Sequence, residues 1–229
     1  MAKESPHRGV LRIGHRGACG YQPENTLASI EQAITLGCHF TEVDVRPTAD
    51  GTLVLLHDEQ VDRTTSGRGS IADLMLDDVQ RLDAGNGQKL PTLEEILAVA
   101  SGRIGLILEF KVQGLAYDVC ATVRSSGFKG PVLYASFHHE ELQHVRRVDP
   151  QALTVALYKR LPEDPVALAL RLHATHVGIR IDTITKPLVQ HFHNAGLIVF
   201  VYTVDNPAAI KRVKMLGVNG IISDFPDRI

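Results

Sequence analysis

The chain has 229 residues, 44% hydrophobic and 22% charged, with 24 Lys plus Arg against 26 Asp plus Glu and a formal net charge of -2. That balance offers no basic surface for nucleic acid or an anionic membrane, and the composition is that of an ordinary soluble globular protein. The three cysteines, Cys19, Cys38 and Cys120, are odd in number and widely spaced, which excludes a disulfide framework and a CxxC metal signature and fits reduced thiols.

The stretch MAKESPHRGVLR, which opens the chain, lacks the apolar region of a signal peptide. No run reaches the roughly 20 apolar residues of a membrane span, so a soluble cytoplasmic protein is expected. LRIGH (11–15) reads as a strand, and NTLASIEQAITLG (25–37) has helical spacing and ends at a glycine suited to the C′ position. FTEVDV (40–45) alternates as a strand does, and LVLLH (53–57) follows it across the turn TADG. Residues 58–91 are polar and Gly-rich, and too long for an ordinary loop of about 2–6 residues between a strand and a helix. TLEEILAVA (92–100) is a helix with Thr92 as N-cap and Glu95 three residues on, a capping box.

The remainder alternates strictly. Strands are expected at 105–111, 132–137, 153–158, 176–181, 197–204 and 220–224, and helices at 115–126, 139–148, 165–173, 187–196 and 207–217. With LVLLH taken as an extension of the second strand there are eight strands alternating with helices, and the strand at 220–224 closes the series. Right-handed crossovers then give a parallel sheet, and eight units in this length fit a closed (β/α)8 barrel better than an open doubly wound sheet. Neither GxGxxG after a strand nor GxxxxGK[ST] is present, so the nucleotide-binding fingerprints are absent. The 58–91 segment is read as a small insertion after the second strand, on the face where barrels carry their chemistry.

Polar residues gather at the ends of the first strands. His15 and Arg16 follow the first; Glu42 and Asp44, two apart, share one side of the second; His57 and Asp58 end the LVLLH run; Glu109 and Lys111, also two apart, end the third. Glu42, Asp44 and Glu109 are hard oxygen donors suited to a divalent cation, and two carboxylates facing one way need a cation or a salt bridge beside them. Arg16 and Lys111 could be those partners without a metal. They could equally hold phosphate oxygens, while two histidines supply an acid and a base near neutral pH. Phosphodiester hydrolysis needs this set of functions. His138 and His139 fit a helix start, Cys19 a small packed residue, KRVK (211–214) a solvated helix face, and Asp205 and Asp224 either strand-end capping or support for the site.

These residues sit in motifs that resemble the glycerophosphodiester phosphodiesterase family. The motifs are HRG at 15–17, PENT at 23–26, EVD at 42–44, DG at 50–51, HD at 57–58, RTTSGRG at 63–69, LDAG at 82–85, LPTLEEIL at 90–97, LEFK at 108–111, YTVDNP at 202–207 and ISDFPD at 222–227. Each is weak alone; in this order they span nearly the whole chain. The resemblance implies a TIM (β/α)8 barrel with a small insertion after the second strand. It implies hydrolysis of glycerophosphodiesters to sn-glycerol 3-phosphate and an alcohol. It implies His15 and His57 as the acid/base pair, and Glu42, Asp44 and Glu109 around one divalent cation, Mg²⁺, Ca²⁺ or Mn²⁺. Arg16 and Lys111 would hold the phosphate. Tyr202, where many relatives carry Trp, would be an aromatic wall for the substrate. Asn25 would order the first loop or cap the following helix. The nucleophile is water or the substrate's own 2-hydroxyl. Three rival readings stand beside this one: a related barrel phosphodiesterase acting on another phosphodiester or a lysophospholipid, a barrel isomerase or aldolase, and a non-catalytic phosphate- or cation-binding protein.

Overall fold

A ring of eight parallel strands is the frame that positions everything else. The structure, a computed structural model, describes residues 9–229, so the first eight residues of the N-terminal stretch lie outside it. The strands are β1 (Leu11–His15), β2 (Phe40–Pro47), β3 (Leu53–Leu55), β4 (Gly105–Phe110), β5 (Val132–Ser136), β6 (Leu153–Tyr158), β7 (His176–Arg180), β8 (Ile198–Tyr202) and β9 (Gly220–Ser223). β1 pairs in parallel with both β2 and β9, and the order β1-β9-β8-β7-β6-β5-β4-β2 closes on itself. This is a TIM barrel. The strands are Val-, Ile- and Leu-rich runs buried on both faces, as a parallel sheet covered by helices requires.

β3 corrects the sequence reading. It is not an extension of the second strand but a separate three-residue strand lying antiparallel to β2, with Val45 opposite Leu55 and Pro47 opposite Leu53. The turn at 48–51 reverses the chain: Gly51 takes φ +80 and Thr48 accepts its N–H, so the run that follows can only come back along β2.

The helices are α1 (Leu27–Thr35), α2 (Leu76–Val79), α3 (Leu93–Ala100), α4 (Ala116–Ser125), α5 (His139–Val148), α6 (Pro165–Arg171), α7 (Lys186–Asn194) and α8 (Pro207–Leu216). Local chemistry sets their ends. Thr92 and Glu95 form the expected capping box, and Gly37 and Gly217 take positive φ just past α1 and α8. α1 is capped by Thr26, in a box with Ser29, and not by Asn25. All helices long enough to pack turn an apolar stripe to the strands. Ile30 and Ala33 of α1, Ile96 and Leu97 of α3, and Phe192 of α7 are almost fully buried in that layer. No helix among the described residues is long and apolar enough to cross a membrane.

Inside the ring, Ile13, Ile107, Leu133, Ala135, Val155, Leu157, Phe200 and Ile222 form a separate cluster. Gly178 and Gly220 make room for it, since a Cβ at Gly178 would meet Leu157 at 2.4 Å and one at Gly220 would meet Phe200 at 2.7 Å. The interior is therefore a packed plug and not a channel. Residues 58–91 follow β3 and contain a 3-10 turn (Ile71–Asp73) and α2. Val61, Ile71, Val79, Ala84 and Leu90 pack there with Val54 and Leu56 as a small apolar cluster of their own.

Candidate active site

The register of the first strands brings the polar residues to one level. His15 of β1 lies opposite Glu42 of β2, and Asp44 of β2 lies opposite Glu109 of β4. Strand alternation points Glu42 and Asp44 the same way, and Lys111 follows β4 two residues after Glu109. A cavity of about 180 Å³ opens here. His15, Arg16, Glu42, His57, Glu109 and Lys111 line one side of it. Phe137, Leu157, Phe200 and Tyr202 line the other, and the interior plug forms its floor.

The loop after β1 is tightly built. Arg16 takes φ +50 and Gly17 φ +86, and a Cβ at Gly17 would fall 2.3 Å from Ser29 Oγ, so only glycine lets this loop close on α1. The Gly17 N–H donates to Thr41 Oγ1 and Ser29 Oγ donates to the Arg16 carbonyl. Asn25, also at positive φ, donates from Nδ2 to Asp44 Oδ2 at 2.8 Å and accepts the Asp44 N–H at 3.1 Å. It fixes Asp44 from both ends, which is its place in the site.

Both histidines are oriented through Nδ1. His15 Nδ1 is 2.6 Å from Asp224 Oδ1, and His57 Nδ1 is 2.6 Å from Asp58 Oδ1. A carboxylate can only accept, so each Nδ1 carries the proton and each Nε2 is left for chemistry. Asp224 is held in turn: Asp205 Oδ1 accepts its backbone N–H at 2.8 Å and the Ser223 hydroxyl at 2.9 Å. The carbonyl of His57 accepts from Arg46 Nε and Nη2 at 3.1 and 2.9 Å. Burial pulls the His15 pKa down, but the Asp224 bond and the Glu42 charge outweigh it and the net shift is upward. For His57 burial prevails over Asp44 and Asp58, and the shift is downward.

Glu42, Asp44 and Glu109 are all buried, with oxygens within 4.8 Å of one another. Lys111 Nζ donates to Glu109 Oε1 at 2.6 Å and stands 3.3 Å from Asp44 Oδ1. Arg16 donates from Nη1 to Glu24 Oε1 at 2.7 Å and from its backbone N–H to Glu42 Oε2 at 3.1 Å. Its Nε lies 3.3 Å from Asp44 Oδ2, yet at an angle that makes no hydrogen bond. Glu42 Oε1 is buried with no hydrogen-bond partner. Two cations thus face three carboxylates, and the shortfall falls on Glu42. Burial first, then Asp44, pushes the Glu42 carboxyl up to about 8. Glu109 is also raised, by burial and then Asp44, whereas for Asp44 burial is outweighed by Lys111 and Arg16 and the shift is downward. An orphaned buried oxygen among three carboxylates is what a divalent cation with hard oxygen ligands would satisfy, so the donor set fits one.

Tyr202 lines the cavity with its ring edge-to-face against Phe137, centroids 6.2 Å apart. Its hydroxyl donates to the Tyr158 carbonyl at 2.9 Å, so the ring and not the hydroxyl faces the cavity contents. The structure therefore brings together all eight residues singled out from the sequence. It adds Asp58, which the sequence signalled only by its place beside His57, and Phe137, which it did not signal; and of the two readings left open for Asp224 and Asp205 it shows support of the site, through His15. His138 and His139 start α5, with His139 Nε2 2.9 Å from the Leu157 carbonyl.

A family model described as the glycerophosphoryl diester phosphodiesterase family matches residues 15–228. A glycerophosphodiester phosphodiesterase of Caldanaerobacter subterraneus is 33% identical, with 96% of each chain covered. A crystal structure of a glycerophosphodiester phosphodiesterase from Agrobacterium tumefaciens is 31% identical and superposes with a TM-score of 0.85, covering 96% of this chain and 98% of that one. A phosphodiesterase of Oleispira antarctica, solved with the product sn-glycerol-3-phosphate, is 28% identical with a TM-score of 0.89, covering 95% of this chain and 94% of that one.

Proposed function

The chain belongs to the glycerophosphoryl diester phosphodiesterase family and is a phosphodiesterase, and from that premise we propose that it hydrolyses glycerophosphodiesters such as glycerophosphocholine and glycerophosphoethanolamine to sn-glycerol 3-phosphate and an alcohol, using two histidines and one divalent cation. The observation that carries the reading is the pair of Nδ1-anchored histidines lining one cavity beside a buried carboxylate triad with an orphaned oxygen.

Glu42, Asp44 and Glu109 would hold a divalent cation (Mg²⁺, Ca²⁺ or Mn²⁺), which supplies charge stabilisation at the phosphoryl oxygens when bound. Arg16 and Lys111 line the cavity, and each keeps donors that its carboxylate partners do not use. They grip the non-bridging oxygens of the diester and hold phosphorus between the histidines. One histidine takes a proton from the nucleophile through Nε2 and the other gives a proton to the departing alcohol; the nucleophile is water, or the substrate's own 2-hydroxyl, whose cyclic phosphate is then opened by water to glycerol 3-phosphate. Asp58 and Asp224 keep each ring in the tautomer this exchange needs. Phe137, Tyr202 and the plug floor exclude water from the far side and pack against the carbon-bearing part of the substrate.

His15→Ala and His57→Ala, assayed for glycerol 3-phosphate release from glycerophosphocholine with Mg²⁺, are each expected to lose about 10²–10⁴ in kcat while remaining folded. Near-normal turnover in both variants contradicts the two-histidine scheme.

A further inference from the structure

The motif RTTSGRG at 63–69 has no part in the chemistry above, and none of its residues lines the cavity. Yet the Arg63 guanidinium joins two loops that carry catalytic groups. Its Nε donates to Asp58 Oδ2 at 2.5 Å, and its Nη1 and Nη2 donate to Glu24 Oε2 and Oε1 at 2.9 and 2.8 Å. The other oxygen of Asp58 holds His57 Nδ1, and Glu24 Oε1 also holds Arg16 Nη1. We propose that Arg63 is a positioning residue: it ties the loop after β1 to the segment after β3, and so sets His57 and Arg16 at a fixed separation across the substrate phosphate.

The chemistry of the fork supports this. Asp58 and Glu24 are like charges that would swing apart without a cation between them, and each has its second function on a catalytic side chain. A guanidinium is planar and presents donors on two edges, so it can bind one carboxylate through Nη1 and Nη2 while Nε binds another. An ammonium has no such fixed geometry. The backbone under Arg63 is itself built: Val61 is fully buried in the small cluster, its carbonyl accepts both the N–H and the hydroxyl of Thr65, and the Gly69 N–H donates to Asp62 Oδ2. The Arg63 side chain is 47% exposed, and ion pairs at such exposure contribute little to folding. Its removal should therefore move the site without melting the protein.

The test compares Arg63→Ala and Arg63→Lys with the wild type. The Nδ1 protons of His57 and His15, both bonded to carboxylates, are followed by NMR and assigned through His57→Gln and His15→Gln. Turnover of glycerophosphocholine is measured alongside. In Arg63→Ala the His57 resonance is expected to broaden or shift upfield while the His15 resonance stays. At the same time kcat falls about tenfold or more and Tm changes by no more than about 3 °C. Arg63→Lys is expected to recover part of kcat. A His57 resonance unchanged in Arg63→Ala overturns the proposal, as does a kcat within twofold of wild type. The catalytic consequence rests on the phosphodiesterase reading. A wild type that releases no glycerol 3-phosphate removes that reading, and the two resonances then decide on Arg63 by themselves.

Discussion

Replacing Glu42 by Gln should stabilise the metal-free protein at alkaline pH while removing its response to divalent cations. Glu42 is 5% exposed, one of its oxygens has no partner, and burial followed by Asp44 raises its pKa to about 8 from an ordinary 4.5. The folded state thus holds a proton that the unfolded state has lost between these two pH values, so stability falls as pH rises through that window. An uncompensated buried carboxylate of this kind costs a few kcal/mol. In a chain of this size 1 kcal/mol moves Tm by roughly 2–4 °C, so metal-free Glu42→Gln should melt about 5 °C or more above wild type at pH 8.5, with the gap nearly closed at pH 5. A cation offsets that gap. At about 100 times its Kd it stabilises the folded wild type by about 2.7 kcal/mol, or about 5–10 °C, and leaves the variant largely unmoved. Thermal melts of chelator-stripped protein at the two pH values, with and without Mg²⁺, Ca²⁺ or Mn²⁺, read all of this. A variant that melts below metal-free wild type at pH 8.5, together with a wild type that no cation stabilises, would mean that Glu42 is neither strained in the metal-free protein nor a metal ligand.

Three further outcomes are expected. Asp224→Asn takes the charge from the His15 Nδ1 bond, so the His15 pKa should drop in an NMR titration and kcat should fall about tenfold or more, with Tm little changed. His176, buried against Phe200 at the other end of the barrel, has its pKa lowered to about 4 by burial; its contribution to stability is complete above about pH 6.5 and is lost as pH falls toward 4, at about 1.4 kcal/mol per pH unit, and His176→Phe should flatten that part of an acid-denaturation profile. Tyr202→Phe keeps the ring and loses only the bond to the Tyr158 carbonyl, so kcat/KM should stay within about threefold, whereas Tyr202→Ala opens the wall and should lower it about tenfold or more; equal effects would mean that the hydroxyl matters and the ring does not.

Most of the barrel was legible because its strands are short apolar runs bounded by glycine, proline or polar turns, and its longer helices carry one apolar stripe. α5 and β6 match the expected residues, and the Thr92–Glu95 box fixes the start of α3. β3 was misread although its signal was present: a four-residue turn between two apolar runs returns the chain beside itself, which an extension cannot do. At α1 the cap is Thr26 because Ser29 answers it three residues on, leaving Asn25 to reach Asp44. The clustering of His15, Glu42, Asp44, Glu109 and Lys111 was legible because His15, Glu109 and Lys111 lie at strand ends and Glu42 and Asp44 share one face of the strand between them, all in one half of the ring. The partners were not. Asp224 lies 209 residues from His15, and only closure of β9 onto β1 joins them. Arg63 reaches Glu24 across 39 residues, from a segment whose fold follows from its own small cluster and not from any period.

Release of glycerol 3-phosphate from glycerophosphocholine by metal-stripped protein, measured with and without Mg²⁺, Ca²⁺ or Mn²⁺, decides whether this barrel is a cation-assisted glycerophosphodiester hydrolase. Release that appears on adding a divalent cation and disappears with chelator is the predicted result. No release with any of the three cations, while the protein remains folded, would contradict it.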